Sequence, residues 1–420
     1  MKRSRLAALL ITMLVAPGSP ASGGTDISGY YKNYSTAIDR PDMRNDFLPD
    51  ETTVGAVSNR VRFNLVGRPH PRLTLNLSYD FSPRVQDQVL FTESDLDLGI
   101  GSSVYRAVDI DRRLYPDEDE PVGSFAIFQN LDRAYAAIET GPADFYVGRQ
   151  AIAWGSARVI NPTDVLAPFM FNELDIEDRI GVDAVRMRVP MGFMGEIDAG
   201  WAFGDDFEFE NSALFLRSKF YWRRNDVALM AVAFRENLMT GIDLTRAIGG
   251  AGFWLEAGYV FTDAFDSDRR DADQDYLRAS VGMDYSLRDG TYLFAEYHFN
   301  DAGSGDADDY VDALASIAYR EGAVYLLGRH YLTPGVVYQI TPLLILSAEV
   351  LVNLNDGSFF TLPRLEYNIA EDIYLSGGAY VGVGSGPYLV TDQLVPLRLK
   401  LDTEFGAYPD SYFASFRVYF

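Results

Sequence analysis

The final ten residues, Ser411 through Phe420, alternate without a break. Tyr412, Ala414, Phe416, Val418 and Phe420 share one parity; Phe413, Ser415, Arg417 and Tyr419 share the other. Successive side chains of a strand point to opposite faces, so a strict period of two marks a strand set between unlike environments. The pattern recurs upstream. Leu73, Leu75, Leu77, Tyr79 and Phe81 oppose Arg72, Thr74, Asn76, Ser78 and Asp80. Leu277, Ala279, Val281, Met283, Tyr285 and Leu287 oppose Arg278, Ser280, Gly282, Asp284 and Ser286, and Leu293, Ala295, Tyr297 and Phe299 oppose Glu296, His298 and Asn300. A soluble sandwich would alternate in the same way, so the connections must decide.

The connections come in two kinds. Short ones at residues 68–71, 141–144, 223–226, 288–290, 341–342 and 370–372 carry the Gly, Pro, Asn or Asp that tight turns demand. Long ones at 39–57, 82–124, 155–181, 205–211, 261–275, 301–322 and 384–410 lie between these hairpins. Membrane barrels have short periplasmic turns and long extracellular loops, whereas a propeller or sandwich has no reason to alternate them. The expected fold is therefore all-β: a transmembrane antiparallel β-barrel of about 18 strands, with about 16 as the fallback.

The other end agrees. Lys2, Arg3 and Arg5 precede an apolar run from Leu6 to Val15, and Ser19, Pro20 and Ala21 offer a small-residue cleavage site. Residues 1–21 read as a cleaved Sec signal peptide and residues 22–420 as a single barrel domain. A run of about ten apolar residues is too short to cross hydrocarbon about 30 Å thick. The most apolar later stretch, residues 343–352, is interrupted by Ser347 and Glu349. Cysteine is absent, so a closed strand ladder must hold the exported chain together. The 26 Tyr and 27 Phe suit aromatic girdles at both membrane interfaces. A formal charge of −24 excludes nucleic acid as a partner, because phosphate backbones need basic surface. The expected location is the bacterial outer membrane, in contact with lipid and lipopolysaccharide.

The polar faces are rich in arginine. Parity places Arg60, Arg62, Arg72, Arg186, Arg188, Arg217, Lys219, Arg278, Arg329, Arg364 and Arg417 in the lumen. A wall of guanidinium groups concentrates carboxylates and phosphates. Asp80, Asp284, Glu296, Glu349 and Glu366 share those faces, so two readings stand. Either the charges pair and stiffen a polar interior, or the cations form a ladder for anionic or polyhydroxylated solutes. The outer loops are acidic, at Glu93 to Asp97, Asp117 to Glu120, Asp205 and Asp206, Asp266 to Asp275, and Asp306 to Asp309. Such a mouth repels small anions within about 8 Å at physiological salt. The third long loop, residues 155–181, mixes apolar and acidic residues. It is expected to fold inward and narrow the lumen, with Asn161, Asp164, Glu173, Asp175, Glu177 and Asp178 opposite the wall arginines; the alternative is an ordinary outer loop. Of the three histidines, His70, His298 and His330, none accompanies a nucleophile motif. No enzyme, cofactor or metal is expected.

The run Gly148, Arg149, Gln150, Trp154 and Gly155, then Asn161, Pro162, Thr163 and Asp164, then Arg179, Ile180, Gly181, Val182 and Asp183, resembles a signature of uncharacterised porin-like proteobacterial barrels. More distantly it is similar to the alginate-export and capsule-assembly class. The resemblance implies a monomeric barrel of about 18 strands, with an arginine-rich lumen for acidic polysaccharide in some members. The carboxy-terminal aromatic resembles the last strand of bacterial outer-membrane barrels. It implies that Phe416, Val418 and Phe420 form a membrane-insertion signal for the barrel assembly machinery. The expected function is a channel for small polar solutes, anionic ones being a candidate subset. The alternatives are a plugged surface-display barrel that binds polysaccharide and an outer-membrane lipid hydrolase.

Overall fold

The computed structural model describes residues 24–41, 43, 53–88, 103–117, 119–265, 275–390 and 398–420. The signal-peptide expectation for residues 1–21, and the acidic runs at 93–97 and 266–274, lie outside them. The strands are β1 (Thr25–Asp39), β2 (Thr53–His70), β3 (Leu73–Gln86), β4 (Phe125–Glu139), β5 (Asp144–Ala151) and β6 (Gly181–Met191). Next come β7 (Gly195–Phe203), β8 (Ser212–Trp222), β9 (Asn225–Phe234), β10 (Asn237–Ile248), β11 (Ala251–Phe261) and β12 (Tyr276–Ser286). The last are β13 (Tyr292–Asn300), β14 (His330–Thr341), β15 (Leu344–Asn353), β16 (Phe359–Thr361 and Arg364–Ala370, broken at Leu362 and Pro363), β17 (Ile373–Val383) and β18 (Asp410–Tyr419).

Each strand pairs antiparallel with its neighbours in sequence, and β18 returns to β1 in a register from Tyr30 opposite Tyr419 to Asp39 opposite Asp410. The amide of Phe420 donates to the Gly29 carbonyl at 3.0 Å, and the Gly29 amide donates back at 2.8 Å. The result is a closed barrel of 18 strands, the larger of the two expected sizes. Closure leaves no unpaired strand edge, which is what lets a sheet sit in hydrocarbon.

Parity within the strands sets the two surfaces. Leu75, Leu214, Leu216, Leu229, Met283, Leu332, Leu365 and Leu375 are exposed on the outer face and form its apolar belt. In β18, Tyr412 and Phe420 are exposed on that face, while Phe413 and Ser415 are buried inward. At the periplasmic end the strands join through tight turns. Arg223 and Arg224 (φ 49° and 69°) and Gly249 and Gly250 (φ 58° and 90°) both take left-handed backbone, the geometry that matches hairpin twist. Two outer connections break the expected alternation, because residues 235–236 and 354–358 are as short as periplasmic turns.

The lumen departs from the polar interior expected of it. Toward the outer end of β6 to β12 the inward positions are apolar: Ala184, Ala202, Phe215, Val232, Phe234, Met239 and Val260 are all buried. They pack on Ile152, Trp154, Val165 and Leu166 of the third outer loop and on Tyr105 of the second. A second cluster on the opposite wall joins Tyr331, Leu351, Phe360, Tyr380 and Phe413 to Ile160 of the third loop and Phe405 of the ninth. The outer half of the barrel thus holds loops packed as a core, and the charged wall lies beneath them.

Candidate functional site

The third outer loop, residues 152–180, enters the barrel and lies against its inner wall along two limbs. The first limb is held by buried glutamates. Glu256 on β11 accepts from the amides of Ser156 (2.9 Å), Ala157 (3.0 Å) and Thr163 (2.9 Å) and from the Thr163 hydroxyl (2.7 Å). Glu296 on β13 accepts from the amides of Arg158 (2.6 Å), Val159 (3.2 Å) and Ile160 (3.0 Å) and from the Trp254 indole (2.9 Å). A buried carboxylate needs such donors, and a buried non-repetitive backbone needs acceptors, so each satisfies the other. Small wall residues make room. A Cβ added at Gly258 would stand 3.1 Å from the Pro162 carbonyl, and one at Gly155, whose φ is +112°, would stand 2.8 Å from the Glu256 carboxylate. The Gly155 and Asn161-Pro-Thr-Asp164 elements of the sequence motif are therefore the parts that wrap the loop around Glu256.

Arg278 and His298 brace the same limb. The Arg278 guanidinium donates to the carbonyls of Pro162 (2.8 Å) and Ala323 (3.0 Å). Ser280 Oγ lies 2.7 Å from the Ile160 carbonyl and 2.9 Å from His298 Nδ1. A carbonyl can only accept, so the hydroxyl proton goes to Ile160 and His298 Nδ1 must be the donor to Ser280. That tautomer cannot take the serine proton, so the pair is a strut and not a nucleophile with its base. His330 packs on the rings of Tyr297 and Phe299, with Nδ1 2.7 Å from the Tyr297 hydroxyl.

The second limb is held by the opposite charge. Asp175 bonds Lys32 Nζ at 2.9 Å and Arg60 at 3.2 Å, and Glu177 reaches Lys32 at 2.6 Å. Lys32, on β1, is fully buried beneath them. Asp178 accepts from the Tyr30 hydroxyl at 2.7 Å and stands 3.7 Å from Arg62, and Tyr419 donates to Glu177 at 2.7 Å. Burial pushes the Asp175 carboxyl up, but Lys32 and Arg60 pull it down further, to below the ordinary carboxylate range. Phe171 sits among Tyr325, Phe360, Phe405 and Tyr408, fixing the middle of the limb.

Three of the six expected constriction residues, Asp175, Glu177 and Asp178, do meet basic groups of the wall. The other three do not pair with wall arginines. Asp164 is buried and pairs within the loop, to Arg179 at 2.8 Å; burial pushes it up to about 6 against the pull of Arg179. Burial likewise pushes Glu173 up to about 7, with Asp175 adding to the shift. Asn161 sits against Gly155.

The wall cations are mostly neutralised in place. Arg62 lies between Asp80 (3.2 Å) and Asp132 (2.6 Å), Arg186 pairs with Asp198 at 2.6 Å, and Arg188 pairs with Glu196. Arg364 and Arg417 share Glu366. Arg278 braces loops, and Arg329 precedes β14 and donates to the Gly303 carbonyl at 3.3 Å, bracing the seventh outer loop instead of lining a strand wall. Arg217 and Lys219 on β8 form no ion pair among the described residues. Sequence reasoning missed Glu256, Lys32 and Asp132. Lys32 has the parity of Arg60 opposite it in the register, which is the signal that could have found it.

No protein-family model and no curated protein matches the chain. Solved structures do. The crystal structure of Acinetobacter baumannii OccAB2 aligns with a TM-score of 0.58 at 8% identity, covering 94% of this chain and 98% of that one. A BenF-like porin from Pseudomonas fluorescens Pf-5 aligns at 0.53 and 9% identity, with the same coverage of 94% and 98%. Pseudomonas aeruginosa OccK2 (OpdF), solved in complex with glucuronate, aligns at 0.52 and 10% identity, again covering 94% and 98%. At such identities the likeness carries the fold, that of an outer-membrane porin barrel, and the outer membrane is where such a barrel resides.

Proposed function

We propose that the barrel is an outer-membrane channel through which small polar solutes diffuse, with the third outer loop as its constriction. The observation that carries this reading is that the loop lies inside the barrel and is bonded to the wall along both limbs, by Glu256 and Glu296 at one and by Lys32 and Arg60 at the other. A pore works by replacing a solute's hydration with polar wall groups at a narrow point. The glucuronate complex of OccK2 shows that one barrel of this architecture takes a carboxylate sugar. Here the ion pairing of Arg60, Arg62, Arg186, Arg188, Arg364 and Arg417 removes most of the field that would make an arginine-rich wall anion-selective. Arg217 and Lys219 lie close enough to Asp243 to share its field without pairing with it, so selectivity for anions is weak. Phe416, Val418 and Phe420 are the insertion signal in this reading, and lipopolysaccharide surrounds the acidic loops.

The packed clusters in the outer half favour a second reading, a plugged barrel that displays its loops to polysaccharide. Liposome swelling separates the two. Refolded protein should admit neutral sugars up to a sharp size limit; no swelling at any size would favour the plugged barrel.

A further inference from the structure

Between the two limbs of the third loop and the wall lies a cavity of about 120 Å³, bounded by Arg158, Phe169, Phe171, Ile176, Tyr325 and Glu349. Ile176 is 56% exposed, so the cavity opens to the lumen beside it. Glu349, on β15, differs from every wall acid described above. Its carboxylate has no hydrogen-bond or ion-pair partner among the described residues. Its cross-strand neighbour on β14 is Gly335, which brings no side chain to answer it. The two guanidinium groups at the cavity are already answered elsewhere: Arg158 by Asp284 at 3.1 Å, and Arg179 by Asp164 at 2.8 Å with its plane 3.8 Å from the centre of the Phe169 ring. An unpaired carboxylate at a small space whose lining also includes Phe169, Phe171 and Tyr325 offers a cation an opposite charge beside apolar surface.

We infer that this cavity is a subsite for a small organic cation, a primary ammonium or guanidinium end of a solute, with Glu349 as its counter-charge. The inference deepens the channel reading by naming one chemical class the constriction recognises, and it rests on that reading only for its role in transport. About 120 Å³ is room for a group of a few heavy atoms, so the site takes the charged end of a solute and leaves the remainder in the lumen. The acidic outer loops act in the same direction, raising the local concentration of cations at the mouth.

The test is calorimetric titration of refolded full-length barrel in detergent with n-propylammonium chloride, with sodium propionate and 1-propanol as controls. Propylammonium should bind saturably and the controls should not. Glu349→Gln should weaken it at least tenfold while keeping the heat-modifiable mobility of a folded barrel. Ile176→Lys, at an exposed position on the cavity mouth, should weaken it at least tenfold without touching Glu349. Absence of saturable binding, wild-type affinity in both variants, or equal binding of propionate would overturn the inference. Because binding is read without conduction, a barrel that binds propylammonium but stays silent in a bilayer would sink the channel reading alone. One that conducts without Glu349-dependent binding would sink this inference alone.

Discussion

Replacing Glu256 with alanine should undock the first limb of the third loop while leaving the barrel closed. Glu256 is fully buried and collects four donors, the amides of Ser156, Ala157 and Thr163 and the Thr163 hydroxyl, at 2.7–3.0 Å. A hydrogen bond to a charged acceptor contributes about 1.5–3 kcal/mol, so the gross loss is of order 6–12 kcal/mol. Water entering the vacated space from the lumen returns a good part of that, leaving roughly 3–6 kcal/mol against docking. At about 1.4 kcal/mol per factor of ten, amide exchange at residues 156–163 should accelerate by about two to four orders of magnitude. Glu256→Gln keeps one acceptor oxygen but aims an NH₂ at two amides, so it should show about half the effect in free energy. The strand ladder does not involve the Glu256 side chain, so amides of β1, β2 and β18 should stay protected. Hydrogen-exchange mass spectrometry on refolded protein reads both regions at once. Unchanged protection of residues 156–163 in a folded Glu256→Ala barrel would refute the anchoring argument.

Other substitutions probe the charges and the fit. Arg62→Leu strands Asp80 without its ion-pair cation, while Asp132 keeps Arg133 at 2.6 Å; breaking the buried Asp80 pair in this way should cost roughly 3–5 kcal/mol, seen as a lower urea midpoint of unfolding, and an unchanged midpoint would contradict the ion-pair account. Glu173 lies near Asp175, Arg179 and Arg60, and its raised value of about 7 means that the neutral form favours the docked loop. Its contribution is complete below about 4.5 and is lost as pH rises through about 7, when a new negative charge appears at the constriction. The reversal potential in a salt gradient should therefore move toward cation preference between pH 5.5 and 8.5 in wild type and much less in Glu173→Gln; parallel shifts would dismiss the group. Gly258→Val places carbon 3.1 Å from the Pro162 carbonyl and should loosen the same amides that Glu256 holds; wild-type exchange there would show that the contact is slack.

Much of the barrel was legible because its signals are local. Alternation in the terminal residues gives both faces of β18, and the run of Leu73, Leu75 and Leu77 gives the lipid side of β3, since parity needs no knowledge of partners. What the charges do is not local. Asp175 meets Arg60 across 115 positions of sequence, and Glu256 meets Thr163 across 93; parity says only that such groups face inward. The apolar packing of the outer half did leave a trace. In β9, Val227 to Phe234 are apolar on both parities, the mark of a strand covered on both sides. Glu349 shows the converse. Its inward parity was plain in the sequence, but that it lacks a partner is visible only when Gly335 and both limbs of the loop are in place.

The most direct measurement is single-channel conductance in planar bilayers, comparing refolded wild type with a variant that lacks residues 162–178. The account predicts stable small steps for wild type and distinctly larger ones for the deletion, because that segment fills the lumen. Silence from a correctly folded, heat-modifiable wild-type barrel, or equal conductance in the two proteins, would contradict it.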